Sequence, residues 1–222
     1  MIRLIATDLD GTLLEPDGSL PDGVFETVED LTRMGVLFSA CSGRQYGNLL
    51  RLFAPVAQHM AFICENGALC FYRGEVIGVA AIPEDIAREV IADIEAAGMN
   101  LLISGRHTTY MMDRNRRYTD DIVYRLRNTV TIIDRPEDVA EPMLKISGQI
   151  DEGLERIAPA LLQKWSGRLT ATVSGRDWFD FTAANKGTGM RMLMERTGIP
   201  KEEAAASVSY THLRAHETGA YL

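Results

Sequence analysis

The chain has 222 residues, enough for one large or two small domains, and its 46% hydrophobic and 24% charged residues are typical of globular proteins. A formal net charge of −8 argues against general binding to a nucleic-acid backbone, although it allows a local basic pocket. No apolar run reaches the roughly 20 residues of a membrane span, and the start lacks the basic flank and apolar stretch of a signal peptide. We therefore predict neither a nucleic-acid nor a membrane partner.

The first 80 residues predict strands and helices in alternation. An apolar run at residues 2–6 predicts a buried strand that ends in Asp8 and Asp10. The elements expected after it are a small hairpin at 13–20, a helix at 21–35, a strand at 36–41, a helix at 45–53, a strand at 61–64 and a hairpin at 68–79. This order is typical of a parallel sheet with helices on its faces.

From Ile82 onward the pattern favours antiparallel pairing. Amphipathic helices are predicted at residues 82–98, 119–127 and 151–165. Strands are predicted at 101–104, 108–112, 131–133, 143–147, 169–173 and 178–181. Another helix opens at Asn185-Lys186-Gly187 and ends at Gly198. We interpret the middle segment as an α+β domain inserted into the first domain.

The cysteines Cys41, Cys64 and Cys70 do not have the spacing of a metal site, and three thiols cannot all form disulfides within one chain. Reduced, buried thiols are typical of proteins in a reducing compartment. We therefore expect a cytoplasmic protein.

Three predicted strands end in polar residues that form turns. Asp8 and Asp10 alternate with Leu9, so both carboxylates can lie on one side of the strand, and such a pair requires a cation, a shared proton or water. Ser42 can bind an anion or cap a helix. Lys186 opens a helix, where the helix dipole disfavours a cation unless water or a ligand compensates. The pattern therefore allows either a solvated Asp-Gly turn or a metal-assisted nucleophile site.

These residues, taken in order, resemble the motifs of a known superfamily. Asp8-Leu9-Asp10-Gly11-Thr12 resembles the first motif of the haloacid dehalogenase-like phosphatases, Ser42-Gly43-Arg44 the second, and Lys186 the third. Glu65-Asn66-Gly67-Ala68 and the insertion between the second and third motifs resemble the Cof-like sugar-phosphatase branch. The resemblance covers residues 1 to about 205. It implies an α/β fold with a Rossmann-like core at 1–81 and 185–206, truncated at its C-terminus, and an inserted α+β cap at 82–184.

The resemblance also implies a mechanism for the hydrolysis of a small phosphorylated metabolite such as a sugar phosphate. Asp8 would be the nucleophile that becomes an aspartyl phosphate, and Asp10 the general acid and base. Ser42 and Lys186 would hold the phosphoryl oxygens, and Mg²⁺ would bind the Asp8 carboxylate and the Asp10 backbone carbonyl. The other residues expected to line the phosphate or substrate site are Gly11, Thr12, Gly43, Arg44, Asn66 and Gly67. We expect a monomer or a weak homodimer.

The sequence departs from the family after Lys186. A fourth motif, Gly-Asp followed by Asn-Asp, should complete the Mg²⁺ site, yet no aspartate follows Asp180. Residues 207–222, which include Tyr210-Thr211-His212-Leu213, resemble translated adaptor sequence, and we expect them to be a non-native tail. Two alternatives therefore stay open: a truncated, catalytically impaired chain that only binds phosphate or a partner, and a phosphotransferase similar to phosphomannomutase.

Overall fold

The computed structural model describes residues 1–207, which form two compact units, and the α/β fold class is confirmed. The first unit joins Met1–Gly78 to the segment that begins at Lys186, and the second is Val79–Asn185. Each unit contains a six-stranded sheet. Residues 208–222, almost all of the expected tail, lie outside the described residues.

The helices and strands follow the predicted order except at residues 13–20, and β12 is a strand that the sequence did not predict. The helices are α1 (Val24–Arg33), α2 (Tyr46–Leu52), α3 (Glu84–Ala96), α4 (Arg116–Asp120), α5 (Leu154–Trp165) and α6 (Lys186–Thr197). The strands are β1 (Leu4–Asp8), β2 (Leu37–Cys41), β3 (Met60–Cys64), β4 (Leu69–Tyr72), β5 (Glu75–Val79), β6 (Asn100–Ser104), β7 (Thr109–Met111), β8 (Val130–Ile132), β9 (Lys145–Gln149), β10 (Thr170–Ser174), β11 (Trp178–Thr182) and β12 (Ala204–Ser207).

The sheet of the first unit has the order β12-β1-β2-β3-β4-β5. Strands β12, β1, β2 and β3 are parallel, and β4 pairs with β3 in the antiparallel sense. In the register, Asp8 lies beside Cys41, and Cys41 beside Ile63. The carboxyl ends of three neighbouring strands therefore meet at one edge of the sheet, where ligands bind in open α/β sheets.

Helix α6 packs closely on β3 and β4 because Gly189 has no side chain. Leu193 joins a buried apolar cluster with Ile63 and Cys70, all at most 1% exposed. A Cβ on Gly189 would clash with Cγ2 of Ile63 and lie 3.2 Å from the Cα of Gly67. This close packing determines where the N-terminus of α6, and with it Lys186, lies against the sheet.

The sheet of the second unit has the order β10-β11-β9-β6-β7-β8. Its strand pairs are antiparallel except for β7 with β8. Helices α3 and α5 pack against the sheet around a core that includes Ile94, Ile103, Trp165, Phe179 and Phe181, each fully buried. Within residues 1–207 there is no helix with the length and apolar character needed to cross a bilayer.

The predicted hairpin at residues 13–20 is wrong, because no strand forms there. The Glu15 N–H donates to the Ser19 carbonyl at 3.0 Å, and the Asp17 carboxylate accepts from both the N–H and the hydroxyl of Ser19. Aspartate forms such local bonds in competition with ladder pairing, so the segment closes as a compact turn.

Candidate active site

The residues after β1, β2 and β3 are joined by backbone hydrogen bonds. The Ser42 N–H donates to the Ile63 carbonyl at 2.8 Å, and the Asn66 N–H donates to the Ser42 carbonyl at 3.2 Å. Asn66 is in the left-handed region with a φ of 56°. A Cβ at Gly43 would lie 2.6 Å from Oδ1 of Asn66, so glycine allows these two loops to approach. The structure thus brings the second predicted motif against Asn66.

Asp8 ends β1 and is 5% exposed, which is unusual for a carboxylate without a partner. Its Oδ1 accepts the Leu9 N–H at 2.8 Å and lies 2.7 Å from Nζ of Lys186. Lys186 is the first residue of α6, so the ion pair with Asp8 compensates for the unfavourable position of its charge near the helix N-terminus. Asp8 and Lys186, which the sequence predicts to share one site, therefore form an ion pair.

The loop Leu9–Leu13 turns at Gly11, whose φ of 75° is a conformation that glycine adopts without strain. Beyond this turn, Oγ1 of Thr12 is buried and has no hydrogen-bond partner among residues 1–207. A buried hydroxyl without a partner costs about 1–3 kcal/mol. This hydroxyl is therefore suited to an oxygen of a bound ligand.

Asp10 and Arg44 form a bidentate ion pair. Nη2 of Arg44 donates to Oδ1 of Asp10 at 2.6 Å, and Nε donates to Oδ2 at 3.2 Å. The Asp10 side chain is 61% exposed and that of Arg44 is 34% exposed. Sequence reasoning placed both residues in the site but did not predict this pairing, since no local pattern links residues that far apart.

Ser42 is 1% exposed, and its Oγ accepts the Arg44 N–H at 3.2 Å. The hydroxyl proton of Ser42 is not used in that bond, so it can be donated to a ligand. The nearby Cys41 is a poor nucleophile, because burial, with a further contribution from Asp8, raises the pKa of its thiol to about 12 although Lys186 acts to lower it.

The protein groups expected to bind Mg²⁺ are chemically appropriate ligands, because Mg²⁺ prefers oxygen ligands and retains several waters. They are the Asp8 carboxylate, whose two contacts both fall on Oδ1, and the backbone carbonyl of Asp10. Across the described part of the chain, no group of three or more acidic, histidine or cysteine side chains is arranged to hold a metal ion. Water and phosphate oxygens would have to supply the remaining ligands.

A family model described as haloacid dehalogenase-like hydrolase matches residues 5–207. Among curated proteins, the chain is 21% identical over 207 residues to the 5-amino-6-(5-phospho-D-ribitylamino)uracil phosphatase of Escherichia coli (strain K12), across 91% of this chain and 76% of that protein.

Solved structures share the fold. A haloacid dehalogenase-like hydrolase from B. subtilis matches with a TM-score of 0.79 and 21% identity, covering 92% of this chain and 82% of that one. A sugar phosphatase of HAD subclass IIB matches with a TM-score of 0.77 and 21% identity, covering 92% and 79%. At this identity the likeness shows the architecture alone.

Proposed function

Because the chain belongs to the haloacid dehalogenase-like hydrolase family, and is thereby a phosphoric monoester hydrolase, we propose that it hydrolyses small phosphorylated metabolites through an aspartyl phosphate on Asp8. The observation that carries this proposal is the buried Asp8 carboxylate, 2.7 Å from Nζ of Lys186 at the carboxyl edge of a parallel sheet. The likeness to a sugar phosphatase of subclass IIB agrees with the Cof-like branch.

In the first step an oxygen of Asp8 attacks the phosphorus in line. The new bond joins Asp8 to phosphorus, and the bond from phosphorus to the leaving oxygen breaks with its electron pair on that oxygen. Asp10 donates a proton to this oxygen, so the product leaves as an alcohol. Lys186 and the Ser42 hydroxyl hold the phosphoryl oxygens, and the Thr12 hydroxyl is a further donor.

In the second step water attacks the phosphorus of the aspartyl phosphate. Asp10, now ionised, accepts the proton of the water, and the bond between phosphorus and Asp8 breaks with its electrons on the carboxylate. Inorganic phosphate leaves, and both aspartates regain their starting protonation states. Catalysis of this kind depends on positioning and charge neutralisation. The loops of Gly11, Gly43 and Asn66-Gly67 would line the pocket for the phosphate.

We propose Mg²⁺ as the cofactor, held by the carboxylate of Asp8 and the backbone carbonyl of Asp10. When bound, it would offset the negative charge of the phosphoryl group. Two protein oxygens are few for such a site, and no aspartate follows Asp180. Weak Mg²⁺ binding is therefore expected for the 222-residue chain, and this same observation favours the second candidate function, a chain that binds phosphate without rapid turnover.

The substrate proposed is the phosphate ester of a sugar or sugar alcohol. The names of two similar proteins support it, since one is a phosphatase of a phosphorylated ribitylamino compound and the other a sugar phosphatase. We also propose that Val79–Asn185 corresponds to the inserted cap and the first unit to the catalytic core. A cytoplasmic location, a monomeric or weakly dimeric state and the absence of nucleic-acid and membrane partners remain predictions.

The proposal is tested with wild type, Asp8→Asn and the control Asp30→Asn, which changes an exposed acid of α1. A panel of sugar and polyol phosphates and 4-nitrophenyl phosphate is assayed with Mg²⁺ and with EDTA, and the phosphoenzyme is trapped by acid quenching. We expect slow Mg²⁺-dependent turnover and an acyl phosphate in wild type and in the control, with neither in Asp8→Asn. Undiminished turnover by Asp8→Asn would refute the mechanism. Mg²⁺-dependent beryllofluoride binding without turnover would favour the second function.

A further inference from the structure

We propose that Arg44 is the positioning residue for Asp10: it orients the carboxyl group that transfers the proton and does not bind the phosphoryl group. This inference rests on the proposed function and refines it, since the resemblance places Arg44 among the residues that line the phosphate site. Arg44 would then influence the departure of the leaving group through Asp10, without touching the reacting atoms itself.

The geometry of the pair carries the proposal. Two nitrogens on one edge of the guanidinium, Nη2 and Nε, reach the two oxygens of Asp10 at 2.6 and 3.2 Å. A bidentate contact fixes the plane of the carboxyl group, whereas a single hydrogen bond leaves it free to rotate. Among residues 1–207, Arg44 supplies the only hydrogen bonds that the Asp10 carboxylate receives.

Arg44 can restrain Asp10 because its own backbone is fixed by hydrogen bonds of both its N–H and its carbonyl. Its N–H donates to Oγ of Ser42 at 3.2 Å, and its carbonyl accepts the Glu65 N–H at 3.3 Å. Asp10, in contrast, precedes the Gly11 turn, and its side chain is 61% exposed. An exposed carboxyl group beside a glycine turn would otherwise sample several orientations, so the restraint comes from Arg44.

The pair with Asp10 occupies the edge of the guanidinium formed by Nε and Nη2, so a bidentate contact of this edge with phosphate would require the pair to be broken. Lys186 already supplies a cation beside Asp8, and the buried Ser42 that follows β2 supplies a hydroxyl. Arg44 therefore pairs with Asp10, while Lys186 and Ser42 serve the phosphoryl oxygens.

The two roles predict different dependence on the leaving group. The phenolate of 4-nitrophenyl phosphate departs without a proton, whereas the alkoxide of a sugar or polyol phosphate requires one. For Arg44→Ala we expect kcat/KM on the fastest alkyl phosphate of the panel to fall about 100-fold, the order of a general-acid contribution. Its kcat/KM on 4-nitrophenyl phosphate should change little, because kcat/KM reports the steps up to departure of the leaving group and not the later hydrolysis, which also uses Asp10. Arg44→Lys keeps the charge but loses the bidentate geometry of the guanidinium, so its loss on the alkyl phosphate should be smaller than that of Arg44→Ala.

Asp10→Asn and the double variant complete the test. Asp10→Asn should show the same substrate pattern, and adding Arg44→Ala to it should cause no further loss, because both changes remove one function. The matched control Arg33→Ala removes an exposed arginine that pairs with Asp30 on α1 and should leave both rates unchanged. Equal losses of kcat/KM on both substrates, or additive losses in the double variant, would overturn the proposal.

An NMR measurement separates failure of this inference from failure of the proposed function. In ¹⁵N-labelled wild type the Nε–H signal of Arg44 should be slowed in its exchange with water, and Asp10→Asn should abolish that protection. A signal that does not respond to Asp10→Asn excludes the pair and overturns the inference, whatever the activity. A wild-type protein that hydrolyses neither substrate contradicts the proposed function, and the NMR signal then still reports whether Arg44 holds Asp10.

Discussion

The pair of Asp8 and Lys186 connects stability with function at the scale of single residues. The Asp8 side chain is 6% exposed, so its charge depends on Lys186, 2.7 Å away, and on the Leu9 N–H. Lys186 is 30% exposed and tolerates the loss of its partner more readily. Burying a carboxylate without a compensating charge is strongly unfavourable. The buried charge of Asp8 is therefore tolerated only when a cation lies beside it, and a neutral residue at position 8 would remove the need for that cation.

We expect Lys186→Met to abolish turnover and to lower the free energy of unfolding by about 2 kcal/mol, somewhat below the 3–5 kcal/mol typical when a fully buried pair loses one member. Adding Asp8→Asn should restore much of that stability, because the amide carries no charge. Urea unfolding of wild type, both single variants and the double variant measures the coupling. Strictly additive effects would show that Asp8 does not depend on Lys186.

At the scale of elements, the close contact of α6 with the sheet at Gly189 positions Lys186 beside Asp8. The backbone carbonyl of Gly189 accepts from the Cys70 thiol at 3.7 Å, and a Cβ there would lie 3.3 Å from the same sulfur. Both neighbours are buried, with Ile63 and Cys70 at 0% exposure. Because packed interiors yield little, an added methyl group must displace the helix.

We predict that Gly189→Ala destabilises the protein by about 1–3 kcal/mol, the usual cost of overpacking, and reduces kcat by moving Lys186 away from Asp8. Gly187→Ala is the matched control, since Gly187 is exposed on the same helix and alanine favours helix by up to about 1 kcal/mol. Thermal melting and turnover are measured for both. Equal behaviour of the two variants would show that the close packing of α6 does not position the lysine.

At the scale of the whole molecule, each unit has a hydrophobic core of its own. In the second unit, Trp165, Phe179 and Phe181 are fully buried between the sheet and the helices α3 and α5. This unit is one continuous segment, whereas the first unit is assembled from two separated segments. A continuous segment with a closed core is expected to fold alone.

We therefore expect residues 79–185, expressed alone, to unfold cooperatively in urea and to show the near-ultraviolet circular dichroism of packed Trp165 and Trp178. Phe179→Ala should lower the free energy of unfolding of this fragment by about 3–5 kcal/mol, because it leaves a cavity in the core. A fragment with helical far-ultraviolet signal but no near-ultraviolet signal would be a molten globule and would argue against an independent domain.

Local signals predicted most elements of both units. Glycines mark where helices end, as at Gly35, Gly98 and Gly198, and alternating apolar residues mark the strands. The prediction of strands at residues 13–20 was wrong because side-chain bonds of Asp17 compete with ladder pairing over so short a distance. The bond between Arg44 and Asp10 was not foreseen, since it depends on how two loops after different strands face each other.

The sequence by itself determined the order of the elements, the α/β class and the family, because periodicity, turn residues and short motifs are local properties of the chain. It also placed Asp8, Ser42 and Lys186 at the ends of their elements. Only the tertiary structure decided that Lys186 is bound to Asp8, that Gly189 allows this approach and that Arg44 holds Asp10. Those contacts join distant segments, and their geometry depends on sheet register and helix packing, which no local pattern encodes.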